Sequence, residues 1–93
     1  MTGAVRLGDL CSGHGCFPSR PNVEASPDVF VNGIPSHRLG DAWGSHCCLV
    51  CHSSVAAQGS PNVFVNGKPK CRIGDAVACG SSMATGSSDV IVN

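Results

Sequence analysis

Three near-copies of one short motif constrain the fold of this chain more than any other feature. The motif reads small-Ser-x-x-Val-x-Val-Asn, and its copies occupy residues 25–32, 59–66 and 86–93. A second motif, Arg-x-Gly-Asp, occupies residues 6–9, 38–41 and 72–75. Because units this short cannot bury an apolar face alone, they bury it against one another. We therefore predict a single domain over residues 1–93, with three pseudo-equivalent units around an axis.

The repeated segments have the periodicity of β-strands. In residues 29–31 and again in 63–65, two valines share one face and a phenylalanine lies on the other. Asn-Gly follows each segment, at 32–33 and 66–67, and favours a tight hairpin turn because both residues tolerate positive φ. Residues 50–57 are too short and too poorly capped for a helix. The sequence predicts an all-β fold.

The composition leaves a thin core that needs an additional cross-link. Leu, Ile, Val and Phe together number only 21 of the 93 residues, and ordering the backbone costs roughly 1–2 kcal/mol per residue. The seven cysteines and four histidines could provide that cross-link as a metal site or as disulfides. The sequence shows no secretory signal, so we expect synthesis in a reducing compartment, which favours a metal over disulfides. A formal net charge of zero argues against nucleic acid as a partner.

Most of the candidate ligands lie in three segments, each of which begins with the repeated Gly-Asp. These segments are predicted loops and comprise residues 8–16, 40–52 and 74–80. If the three units surround an axis, the loops converge at one end and offer imidazole and thiolate groups to a tetrahedral zinc ion. The spacings within residues 46–52 do not by themselves define a known zinc motif.

Catalytic interpretations are weaker. Cys47, Cys48 and Cys51 could form a thiol redox site, but no βαβ pattern surrounds them. The aspartates and arginines of the second motif recur with the repeat, which is typical of turn formers paired with backbone groups rather than of catalytic acids. A Ser-His-Asp hydrolase would need a concave pocket that such a small β-domain hardly provides. We expect no enzymatic activity.

The segments 35–41 and 69–75, Pro-x-x-Arg-x-Gly-Asp, resemble the proline-alanine-alanine-arginine motif of PAAR-repeat proteins. The resemblance covers essentially the whole chain. It implies a pointed, conical, roughly threefold β-structure that caps the trimeric β-helix spike of a type VI secretion system or of a contractile phage tail. It also implies a structural zinc ion near the vertex, held by three histidines and one cysteine. That ligand set favours zinc over iron.

By position, the resemblance implies one ligand set: His14, His46, His52 and Cys79. His37 and Cys71 depart from the motif, because they replace its second alanine, and His37 is an alternative ligand. Cys11 and Cys16 flank His14 and could form a disulfide after export. For the remaining cysteines we expect the role of small buried apolar residues; these are Cys47, Cys48, Cys51 and Cys71.

The implied role is mechanical. One tip would sit on each spike trimer, help it to pierce an envelope and contact the target membrane transiently. Effectors, if carried, would bind non-covalently. We expect residues 29–31, 63–65 and 90–92 to contact the spike, and we expect assembly in the bacterial cytoplasm before delivery through the apparatus. The alternatives are a free-standing binding module stabilised by zinc or disulfides and, more distantly, a redox or metal-handling protein.

Overall fold

A computed structural model describes residues 2–93 and confirms the all-β prediction. Within residues 2–93, eight strands follow one another: β1 (Thr2–Gly3), β2 (Phe30–Val31), β3 (Ile34–Pro35), β4 (Ala42–Cys48), β5 (Val50–Val55), β6 (Phe64–Val65), β7 (Lys68–Pro69) and β8 (Ile91–Val92). The molecule is elongated, with extents of 37 × 24 × 22 Å. No helix among residues 2–93 is long and apolar enough to cross a membrane.

Three equivalent strand pairs correspond to the three copies of the repeat. The strands β2 and β3 pair across the turn at Asn32, and β6 and β7 pair across the turn at Asn66. Both asparagines have the predicted positive φ, 55° and 53°. The third copy has no hairpin of its own. Its strand β8 pairs instead with β1, so the two ends of the chain complete the third unit together.

A ring of backbone hydrogen bonds joins the three units around the axis. Its members are the residues immediately before the repeated arginines: Val5, His37 and Cys71. The N–H of each donates to the carbonyl oxygen of another member, at 3.1–3.2 Å. The Lys70 ammonium group also donates to this ring, to the carbonyl oxygens of Val5 (2.5 Å) and His37 (3.3 Å). The ring is the structural basis of the predicted pseudo-threefold arrangement.

The Arg-x-Gly-Asp motifs form turns, as predicted, and each turn also contains an Arg–Asp ion pair. In the most buried one, Asp41 Oδ2 accepts hydrogen bonds from the backbone N–H of Arg38 (2.9 Å) and from its Nε (2.8 Å). The intervening Gly40 has a φ of 86°, which favours glycine. The pairs Arg6–Asp9 and Arg72–Asp75 repeat this geometry. Each aspartate thus holds a turn.

The core consists of two separate clusters of buried residues. A small one contains Ala4, Val31 and Val92. The larger one includes Val5, Trp43 and other residues that lie within or next to the three Cys/His segments, residues 8–16, 40–52 and 74–80. Because Ala4 and Val5 are consecutive but belong to different clusters, the backbone ring separates a valine-rich side from a Cys/His side. Few large apolar residues are fully buried, in agreement with the expected thin core.

Residues 40–52 are not the loop that we expected from the sequence. They contribute to the longest hairpin, β4–β5, in which His46 pairs with His52 and Cys47 with Cys51. Leu49 alone lies between the paired residues Cys48 and Val50, and it has a φ of 68°. This conformation is usually left to Gly or Asn. The sequence therefore carries no turn signal at this position.

Candidate metal centre and apolar base

The structure brings together the four residues that the PAAR resemblance implies as ligands. One ligand atom from each of His14, His46, His52 and Cys79 lies within 4.8 Å of all the others. A tetrahedral zinc ion with bonds of about 2.0–2.3 Å holds its ligand atoms within about 4 Å of one another. Three imidazoles and one thiol in this arrangement could hold a metal ion, so the residues present fit the implied group.

Three local structures position these side chains. His46 and His52 face each other across the β4–β5 hairpin and therefore lie on the same face of it. His14 begins a tight turn that ends at Phe17, with backbone hydrogen bonds of 3.1 and 2.8 Å in the two directions. Cys79 lies within a turn closed by the bond from Gly80 N–H to the Val77 carbonyl, 2.9 Å. Each Cys/His segment thus contributes at least one ligand.

The imidazoles approach one another through their Nε2 atoms. His52 Nε2 lies 3.1 Å from His14 Nε2 and 2.6 Å from His46 Nε2. His46 Nδ1 lies 2.8 Å from the carbonyl oxygen of Pro18 and donates its proton there. The Nε2 atom of His46 is thereby left as the acceptor with a free lone pair. A metal-binding histidine commonly has its other ring nitrogen held in this way.

The surroundings of Cys79 favour its thiolate. Burial opposes the charged form, but hydrogen bonds from the Ser81 backbone N–H and the Arg20 guanidinium outweigh it and lower the pKa of Cys79 to about 5. Arg20 is buried, and its terminal nitrogens contact Cys11 Sγ at 3.0 Å and Cys79 Sγ at 3.4 Å. Its Nε donates to the Gly44 carbonyl at 2.6 Å. The fourth candidate ligand is therefore poised in the form that binds a metal.

Phe17 and Arg20 are site residues that sequence reasoning missed. The Phe17 ring packs against all three candidate imidazoles, with centroid distances of 4.8 Å to His14, 4.9 Å to His46 and 4.2 Å to His52. An apolar ring in this position shields the imidazoles from water. The only sequence feature that could have indicated a role for Phe17 is its position three residues after His14. Nothing in the sequence indicated that Arg20 is buried.

The other side of the backbone ring presents an apolar recess of about 350 Å³. Equivalent valines from all three units line it, and their exposures match: 37%, 36% and 36% for Val29, Val63 and Val90. The deeper valines of the same strands are buried in all three units; these are Val31, Val65 and Val92. Lys70 and Ser36 also line the recess. We call this surface the apolar base.

Comparison with known protein families agrees with this geometry. Residues 18–85 match the PAAR motif, which is most of the 93-residue chain. The chain belongs to the PAAR motif family. No curated protein matches it. The matched segment includes His46, His52 and Cys79, whereas His14 precedes it.

His37 and Cys71, which depart from the PAAR motif, lie in the core. Among residues 2–93, the ligand group does not include His37, so its alternative role as a ligand finds no support. Its ring is fully buried edge-on to Trp43, and Nδ1 donates to the Glu24 carbonyl at 2.7 Å. Cys71 is also fully buried, and burial raises its pKa to about 12. Cys71 therefore has the small apolar role that we expected.

The roles that we expected for Cys11, Cys16, Cys47, Cys48 and Cys51 were wrong. Cys16 forms a disulfide with Cys48, and Cys47 forms one with Cys51. Cys11 does not pair with Cys16, because it is buried against Arg20 while Cys16 is exposed in the turn after His14. Cys47 and Cys51 are exposed and Cys48 is half-buried, so none of the three is a buried apolar residue. The chain thus combines disulfides with a candidate metal centre.

Proposed function

We propose that this PAAR protein is the tip of a trimeric β-helix spike, in a type VI secretion system or a related contractile phage tail. The apolar base supports this role most directly. Its three matched valine strands give a single chain a nearly threefold surface, which complements the end of a threefold partner. An exposed apolar surface of this kind is typical of a protein contact. The proposed role is structural, with no catalytic step.

We propose further that His14, His46, His52 and Cys79 hold a zinc ion. Three imidazoles and one thiolate suit zinc better than iron. The ion would supply folding free energy at the Cys/His end of the molecule. Arg20 would hold the Cys79 thiolate, and Phe17 would exclude water from the imidazoles.

Native mass spectrometry with a cognate trimeric β-helix stub tests the spike contact. We expect one chain per trimer. Val63→Asp should weaken this complex on the order of 100-fold, because it buries an unpaired carboxylate in an apolar contact. Val23→Asp is the matched control, since Val23 is 58% exposed and does not line the apolar base. Equal binding by both variants would exclude the apolar base as the contact.

Native mass spectra of the chain without the spike stub test the proposed metal site. We expect one zinc ion per chain, lost in Cys79→Ser and retained in Cys71→Ala, which alters a buried cysteine outside the ligand group. Retention of zinc by Cys79→Ser would argue against the proposed ligand set.

A free-standing, cross-linked binding module is the second candidate, and the two disulfides favour it. Such small stapled domains are common among exported proteins. The measurement of spike binding distinguishes the binding module from the spike tip. A free-standing module would fold and keep its disulfides without forming a complex with any trimeric spike.

A further inference from the structure

The two disulfides lie on opposite faces of the β4–β5 hairpin. Side chains alternate between the faces of a strand, so Cys48 shares its face with His46, whereas Cys47 and Cys51 lie on the other. The Cys47–Cys51 bond joins two residues that strand pairing already holds opposite each other. The Cys16–Cys48 bond joins segments 32 residues apart in sequence, on the face that carries the histidines.

The Cys16–Cys48 bond connects two of the three segments that a metal would connect, namely the His14 turn and the β4–β5 hairpin. Cys16 lies inside the four-residue turn whose ends, His14 and Phe17, are joined by two backbone hydrogen bonds. Phe17 in turn packs against His46 and His52 of the hairpin. Anchoring Cys16 to Cys48 therefore fixes the position of His14 relative to the hairpin.

We propose that Cys16–Cys48 is a redox-dependent second cross-link, which keeps the candidate metal centre assembled when no metal is bound. In the reduced chain, only a bound metal joins the His14 turn to the hairpin through strong bonds. In the oxidised chain the sulfur–sulfur bond joins them as well. The protein therefore tolerates loss of the metal when oxidised but not when reduced.

The oxidation step is an ordinary thiol–disulfide exchange. The thiols of Cys16 and Cys48 react with a small disulfide oxidant such as oxidised glutathione. The new bond forms between their two sulfur atoms, the bond within the oxidant breaks, and the oxidant leaves as two thiols that carry the two protons and the two electrons. No other reactant is needed.

The experiment compares four states of the full chain: oxidised or reduced, each with zinc or with a chelator. Backbone hydrogen exchange at His14 and Phe17 is the readout, because both amides form the turn. In the oxidised chain we expect chelation to change protection of these amides less than threefold. In the reduced chain we expect it to lower protection at least tenfold.

The double variant C47S/C51S isolates the proposed bond, since Cys16–Cys48 is then the disulfide that remains. It should behave as the wild type. The double variant C16S/C48S keeps the other disulfide and should lose protection on chelation under both conditions. If C16S/C48S does not fold, the oxidised and reduced forms of C47S/C51S still supply the comparison. Equal protection of His14 and Phe17 in the oxidised and reduced forms in the presence of chelator, or a peptide map in which Cys16 pairs with another cysteine, would overturn the proposal.

This inference is separable from the proposed function. Protection in the metal-free oxidised chain depends on neither zinc nor a spike. A chain that failed to bind zinc would still show the difference between oxidised and reduced forms if the proposal is correct. A chain that bound zinc and spike, but showed no such difference, would contradict this inference alone.

Discussion

Lys70 makes the stability of this fold depend on pH in a direction that can be measured. Its side chain is 3% exposed and donates to carbonyl oxygens of the backbone ring. Burial disfavours the ammonium group and lowers the pKa of Lys70 to about 8, from 10.5 for an ordinary lysine. Between about pH 8 and 10.5 the unfolded chain therefore holds more protons than the folded chain, and stability rises with pH in this window.

The size of the effect follows from the two pKa values. As the pH rises from 7 to 9, Lys70 becomes mostly deprotonated in the folded chain but stays protonated in the unfolded chain. Linkage then gives a gain of about 1 kcal/mol in the free energy of unfolding. Above pH 9 the neighbouring Cys71 acts in the opposite direction, because its pKa is raised to about 12 and only the unfolded chain readily loses that proton. The pH range in which the effect of Lys70 can be measured therefore ends near pH 9.

Urea unfolding at pH 7, 8 and 9, in one fixed metal and redox state, measures this gain. The quantity of interest is the difference between wild type and Lys70→Met, since other titrating groups cancel in it. This difference should move by about 1 kcal/mol in favour of the wild type as pH rises from 7 to 9. Lys68→Met is the control, because Lys68 is exposed and should show no such trend. A flat difference for Lys70→Met, or a trend of the opposite sign, would refute the reasoning.

Two further predictions concern single residues. Leu49→Asn should raise the free energy of unfolding by up to about 1 kcal/mol, because Leu49 has a positive φ of 68° and is fully exposed; a fall in the thermal midpoint would contradict this. Asp41→Asn should cost about 3–5 kcal/mol in urea unfolding, since it leaves the buried Arg38 without its partner. Asp9→Asn, in the more exposed equivalent pair, should cost clearly less, and equal costs would mean that burial does not set the strength of these pairs.

The repeated parts of the fold could be predicted because their determinants are local. An Asn-Gly pair specifies a turn, and an aspartate three residues after an arginine can bond that arginine's backbone. Three copies of each motif then imply a common arrangement around an axis. The valine face of the base followed from the same alternation. No long-range information was needed for these features.

The hairpin β4–β5 and the disulfides could not be predicted, because their determinants are not local. The hairpin turns at Leu49, where neither Gly nor Asn marks the turn. Cys16 and Cys48 lie 32 residues apart, and seven cysteines permit many pairings that spacing cannot distinguish. Without the hairpin register, the sequence also did not show that Cys47 and Cys48 lie on opposite faces of the hairpin. The four ligands were named from the family resemblance rather than from spacing.

The distribution of charge explains why the Cys/His side needs cross-links of its own. None of the chain's twelve charged residues lies within 10–19, 42–67 or 76–88, the segments that carry the candidate ligands and both disulfides. The three ion-paired turns all lie outside these segments. Arg–Asp pairs of this kind are therefore unavailable within these segments, and the Arg20 guanidinium reaches them from outside to contact Cys79 Sγ at 3.4 Å. Disulfides and the proposed metal are the other cross-links available at this end. His46, His52 and Cys48 lie on one face of the hairpin, opposite the Cys47–Cys51 disulfide.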